Sequence, residues 1–292
     1  MEFLRQRIER HVLSLSGLTL SGVDMEQPRG DPGLFGPQSV CWKVHSDFTS
    51  MLIGGISALM IQMLHPLALA GVWEHSNYRQ DMLGRLRRTG QFIAGTTFAS
   101  RADAERLIAR VRAIHDRVSG IAPDGRPYAA NDPHLLTWVH VAEVYSFLQS
   151  HLRYRNPHLS GAEQDRYYAE IALVGELLGA RDIPRSRQQV AEYFQVMMPE
   201  LCCDWRCREV MDTLLDAPAP STLTRPFSRL MLQAGMELLP DWACQLLGIR
   251  LTAPRRQLIR GAVRHSAPVL RWAVRNGSIH RARRRMGLPP YG

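Results

Sequence analysis

Arg85, Arg88, Thr89 and His115 fall in one stretch, Asp81–Gly120, which reads as two helices joined by a loop at Thr96–Ser100. Arg85 and Thr89 are about one helical turn apart and share a face with Met82, Leu86 and Ile93. An arginine at the edge of a buried face wants an anion. His115 follows Val111 by four and Leu107 by eight, which points it with Leu107, Ile108, Val111, Ile114 and Val118 toward the interior. A histidine facing an apolar interior either satisfies its ring nitrogens with neighbours or binds something there. From spacing alone two readings stand. One is a core histidine bonded to a carbonyl, with Arg85 paired to a carboxylate; the other is a pair that holds a bound group.

Two further histidines lie where chemistry is possible. His65 precedes Pro66, which must end or kink an apolar helix over Met51–Leu64, so His65 either caps the frayed end or is aimed into a site. His140 sits on a helix that Asp132 caps and Pro133 opens, running to about Leu152. It shares a face with Leu136, Val144 and Phe147, which makes it a rival ligand to His115, a residue on the other side of a bound group, or a structural histidine.

The elements that must position these residues are helical. Residues 2–15 form a short amphipathic pattern, and Gly17–Gly36 is an irregular loop rich in Gly, Pro and Asp. Order resumes over Gln38–Asp47, with Trp42 and His45 near the core. Met51–Leu64 is apolar on nearly every side, as expected of a helix surrounded by others, and Gly54 and Gly55 allow close approach. His75 reads as a cap before the Arg85 helix. Ser100 with Asp103 starts the His115 helix and Gly120 stops it. Pro123–Pro127 is a turn. Ser160 and Glu163 make a capping box for a helix to about Leu178, and another helix runs from Ser186 to about Met198. Asp216–Ser221 is a linker, followed by helical patterns near 225–239, 240–248 and 254–275. No segment sustains a two-residue alternation, so the class is all-α, a single multi-helix domain.

Several of these runs, in order, resemble one family. They are Gly30–Pro37, Leu64–Val72, His75-Ser76, the Arg85-to-Thr89 pattern, Arg112-Ala113-Ile114-His115 and Trp138-Val139-His140. Together they are similar to the MpaB-type oxygenases, to which bacterial latex clearing protein (rubber oxygenase) is related. The resemblance covers 30–199 as a family core and leaves 200–292 as a helical extension. It implies an all-helical fold holding a non-covalent haem b, with His115 as the axial ligand to the iron. Arg85, Thr89 and Arg88 would then belong to the haem pocket, and His140 and His65 are candidates for catalytic roles. Arg88 stands where rubber oxygenase has a lysine able to close the iron's open side. A guanidinium stays protonated and cannot do that. The family's catalytic glutamate has no clear counterpart, although Glu74 is nearby.

Bulk composition sets limits on the rest. Of 292 residues 45% are apolar and 22% charged, an ordinary globular composition, and the net charge is +9. Lys43 is the single lysine. The one dense basic cluster is Arg281 with Arg283–Arg285. It has no interleaved aromatics and no nucleic-acid module, so it reads as a solvated tail, with contact to anionic lipid as the alternative. The N-terminus lacks the apolar core of a secretory signal, and the run Met51–Leu64 is too short to span a bilayer. With five cysteines, an odd number, reduced thiols in a cytoplasmic protein are expected. Phosphate-loop, dinucleotide, zincin, nucleophile-elbow and covalent-haem motifs are all absent. The expected function is a haem-dependent oxygenase acting with dioxygen on a small apolar or unsaturated substrate. Electrons would come from an external donor, the substrate or peroxide. A non-catalytic haem sensor or carrier is the rival.

Overall fold

The computed structural model describes residues 2–16, 22–217 and 224–290; residues 17–21 of the expected loop and 218–221 of the expected linker lie outside them. Among the described residues the chain forms fourteen α-helices, one short 3-10 turn and a single two-stranded hairpin. The expected all-α class is what the structure has.

Helix α1 is Glu2–Ser16 and α2 is Val40–His45, the latter started by Ser39, whose hydroxyl accepts from Trp42 N. Helix α3, Phe48–Gln62, begins at Asp47, whose carboxylate accepts from Ser50 N. It is the axis of the domain, with Ile53, Met60 and Ile61 fully buried. Each such side chain contributes roughly 1.5–3 kcal/mol of burial. The reason α3 can be enclosed is visible at Gly54. A Cβ there would lie 2.9 Å from Phe147 Cδ1 and 3.0 Å from Ser146 O, so only glycine lets the helix carrying Phe147 come this close.

The chain then turns sharply. Pro66 opens α4, Pro66–His75, at 106° to α3, and the His65 ring caps it. No single described helix is long and apolar enough to cross a bilayer; α3 and α4 reach that length and composition only as this bent pair. Asp81, not His75, caps α5, Met82–Phe98, and α6 follows directly as Arg101–His115 with Ser100 as cap. Helix α6 ends at His115 instead of near Gly120, because Ser119–Ile121 (β1) pairs antiparallel with Pro127–Ala129 (β2). The Pro123–Pro127 turn joins these strands. One consequence is that Ile114, expected to face inward, is 52% exposed.

Helix α7, Pro133–Tyr154, lies against α3 and is the longest in the domain. Helix α8, Gly161–Leu178, carries the complete Ser160–Glu163 capping box. Beyond it come α9 (Arg187–Met197), α10 (Trp205–Leu215), α11 (Arg225–Leu238), α12 (Asp241–Leu247) and α13 (Ala253–Ala273). Residues of α10, α11, α12 and α13 join the same apolar core as α3 and α7.

The arginine-rich end is not a solvated tail. Ser278–Arg285 is helix α14. Arg281 and Arg284 pair with Asp24 and Glu26. Arg285, 2% exposed, donates to the backbone oxygens of Asp31, Met25 and Ala99. Gly33, at φ +72°, belongs to the same lock: a Cβ there would sit 2.4 Å from Ala99 O.

Candidate functional site

Between α3 and α5 lies an apolar pocket enclosing about 1040 Å³, part of it open to solvent. Helix α5 gives it Leu86, Thr89, Gly90, Ile93 and Ala94; α3 gives Met51, Leu52, Gly55 and Ile56. Phe147 of α7 also lines it, with Val274, Ser278 and Ile279 from the last turn of the chain. This arrangement follows from the sequence of α5, whose apolar positions recur on one helical face that is only partly buried against the core.

The wall has one buried titratable group, His45, and it is fully engaged. Its Nδ1 lies 2.8 Å from Thr97 Oγ1 and its Nε2 2.8 Å from the Tyr167 hydroxyl. Burial, helped by the like charge of His151, pushes its pKa down to about 3. His45 therefore stays neutral and has no lone pair to offer a metal.

Of the residues expected at a haem site, Thr89 is on the pocket wall. Arg85 precedes it by one turn and is half-buried. Its guanidinium makes a 3.5 Å contact with Ser76 Oγ and has no carboxylate partner. Burial, then the charge of Arg88, pushes its pKa down to about 10. It remains a cation at neutral pH, largely stripped of water and without a counter-ion. Arg88 is exposed and engaged with Asp81 at 3.4 Å and Asn77 at 3.1 Å.

His115, half-buried at the end of α6, is not on the pocket wall. The acceptor expected to orient its ring is missing: Nδ1 is buried with no hydrogen-bond partner. Burial lowers its pKa against the opposing influence of Asp116. His140 is 6% exposed, its Nε2 has no partner, and burial alone brings its pKa to about 4. It fits because α8 has Gly175 opposite, where a Cβ would stand 3.0 Å from the imidazole Cγ.

One residue went unremarked in the sequence. Glu143, on α7 between His140 and Phe147, keeps part of its surface yet is enclosed deeply enough that burial lifts its carboxyl to about 7. It makes no hydrogen bond or ion pair among the described residues. Its spacing of three from His140 was the available signal.

His65 lies elsewhere. It is fully buried, with Nε2 3.3 Å from Glu200 Oε2, and His134 Nε2 is 3.0 Å from the same oxygen. Two histidines and a carboxylate within reach of one point are a familiar metal arrangement. The tautomer argues against it. His65 Nδ1 accepts from Leu67 N at 3.3 Å and Ala68 N at 3.5 Å, so Nε2 carries the ring proton and donates to Glu200. An ion would need that lone pair. Glu74 is likewise committed, accepting from the Tyr128 hydroxyl.

The donor set has the chemistry a haem would use, although His115 lies off the pocket wall. A buried imidazole nitrogen without a partner and a desolvated guanidinium without an anion are the two features an axial ligand and a propionate would satisfy. No curated protein and no solved structure matches the chain. A family profile does, over residues 42–272, which takes in α2 to the last turn of α13 and every candidate residue above: that of the ER-bound oxygenase mpaB/B'/rubber oxygenase catalytic domain. The chain belongs to this oxygenase family.

Proposed function

We propose that this chain is a haem b-dependent oxygenase acting on a small apolar or unsaturated organic substrate, by oxidative C=C cleavage or hydroxylation. The observation that carries the reading is the apolar pocket beside Thr89, with the uncompensated Arg85 one turn away on the same helix. His115 would hold the iron, Arg85 with Arg88 would neutralise the propionates, and Thr89 would donate a hydrogen bond. Haem, when bound, supplies the activation of dioxygen, with electrons from a separate donor or from the substrate.

The remaining work falls to the protein. The pocket walls exclude water and orient an apolar chain by shape. His45, held neutral between Thr97 and Tyr167, adds no charge to that wall. Glu143, lifted to about 7, is a carboxyl that can take or give a proton at neutral pH. His140, one turn before it, would be a second imidazole with a catalytic role beside the bound group. No step is assigned to His65, which is tied to Glu200 away from the pocket.

Reconstitution with haem, followed by an absorption spectrum and oxygen uptake with a panel of alkenes, tests the reading. A stoichiometric Soret band that is lost in His115→Ala, with alkene-dependent oxygen uptake, is the expected result. A protein that takes up no haem overturns it. The unpartnered Nε2 of His140 favours one rival, a carrier with both histidines on the iron. A low-spin spectrum indifferent to oxygen and carbon monoxide would select that rival.

A further inference from the structure

The apolar pocket has a second cavity beside it at Ser46 and Phe48. That cavity, of about 600 Å³, shares Ser46, Phe48, Val274 and Ile279 with it and continues past Asp47, Arg155 and Arg271. The two cavities adjoin at these four residues, an apolar body beside a polar end.

The charges at that end do not cancel. Asp47 is consumed: its carboxylate caps α3 through Ser50 N and binds Arg271 Nε at 2.5 Å. Arg271 is consumed in turn, its Nη2 also donating to Tyr154 O at 2.9 Å. These two make a neutral pair. Arg155, the residue that ends α7, is exposed, and its guanidinium has no hydrogen bond or ion pair among the described residues. One unopposed cation therefore stands at the mouth of an otherwise apolar space. A charged group inside the apolar body would find no counter-charge there, since His45, the titratable group on that wall, is neutral with both nitrogens engaged.

We propose that the site takes a long-chain carboxylate, with the apolar chain between α3 and α5 and the carboxylate on Arg155. A planar guanidinium at a pocket rim suits a carboxylate's two oxygens, and a rim position lets the head keep part of its water. This rests on the reading of the apolar pocket as the substrate chamber. Haem propionates share the same chemistry, so the test must separate the two sources.

The full chain, with and without haem, is titrated with dodecanoic acid and with dodecan-1-ol by displacement of the neutral dye Nile red, at about pH 8 so that the acid is ionised. The acid should bind about tenfold more tightly than the alcohol, the effect of one charge-assisted hydrogen-bonded contact. Arg155→Gln should bring the two within about twofold, and Arg155→Lys should restore part of the difference, as a point charge without the fork would. Equal binding of acid and alcohol to the unaltered chain overturns the proposal while leaving the pocket reading intact. So does a preference for the acid that survives in Arg155→Gln. A haem arm identifies the other source. If Arg155→Gln weakens retention of haem but not of haem dimethyl ester, and leaves the preference for the acid unchanged, the carboxylate at Arg155 is a propionate and the proposal falls. Failure of the dye and of both ligands to bind overturns the pocket reading as well.

Discussion

Arg285 and Arg85 are both guanidiniums held largely out of water, and the fold treats them in opposite ways. Arg285 places its donors on three backbone oxygens, at 2.8 Å to Asp31, 3.0 Å to Met25 and 3.3 Å to Ala99. Arg85 has one contact, at 3.5 Å, to a hydroxyl. Burial depresses the pKa of each. For Arg285 that cost is offset on the spot by acceptors that have no other way to be satisfied. For Arg85 it is left standing, since its guanidinium has no carboxylate partner among the described residues. Burial is common to the two arginines; what differs is how complete their partners are, and the proposed role of Arg85 rests on that difference.

The largest effect should come from breaking the satisfied side. Arg285→Ala strands three carbonyl oxygens, two of them in buried bonds, and unpins α14 from the Gly30–Pro37 loop, which should cost roughly 3–4 kcal/mol at about 1 kcal/mol or more per lost hydrogen bond. The midpoint of urea unfolding measures it. Haem stoichiometry in the folded fraction should not change; a variant that stays stable but loses haem would mean the lock serves the site.

The same contrast holds for histidines and gives an effect of similar size that depends on pH. His45 has two partners and His140 has an open Nε2, yet burial keeps both neutral. A histidine whose pKa falls from an ordinary 6.5 to about 4 on folding binds its proton in the unfolded chain first. Stability is then full above 6.5 and declines as pH falls toward 4. Over that window His140 should contribute a loss of about 3 kcal/mol, at about 1.4 kcal/mol per pH unit. His140→Gln removes the titration and should flatten the acid limb of a stability–pH curve by that amount. An unchanged limb would place the acid sensitivity on His45 and His151.

How far these features could be read in advance depended on the range of the interaction. Caps were legible because they are local: Ser160 with Glu163, and Asp132 before Pro133, do in the structure what their spacing implies. The inward face of α7 was legible too, since Leu136, His140 and Phe147 obey one period and all are buried. What failed was set by distant partners. The basic cluster at 281–285 looked solvated because its acceptors, Asp24, Glu26 and the carbonyls of Met25 and Asp31, lie at the other end of the chain. Helix α10 was passed over although Asp204 caps it locally, accepting from Arg206 N and Cys207 N. Ile114 was placed inward by period alone, but α6 ends one residue later and nothing covers that side. At the site, Thr89 lines the apolar pocket, and the engagement of both nitrogens of His45 required knowing where Thr97 and Tyr167 fold.

The smallest change in stability should belong to Arg85, and its smallness is the point. Arg85→Met exchanges an uncompensated, half-buried cation for an unbranched apolar side chain of similar length. Haem-free protein should therefore unfold at the same urea concentration, or be stabilised by up to about 1 kcal/mol, because no satisfied interaction is lost. Haem affinity should fall by about tenfold, as expected when a charge-assisted bond to a propionate is removed. The two measurements pull apart only if the chain holds Arg85 in reserve for an anion. Should the haem-free variant lose as much stability as Arg285→Ala, the guanidinium is a structural group whose partners form in solution, and the contrast between the two arginines disappears.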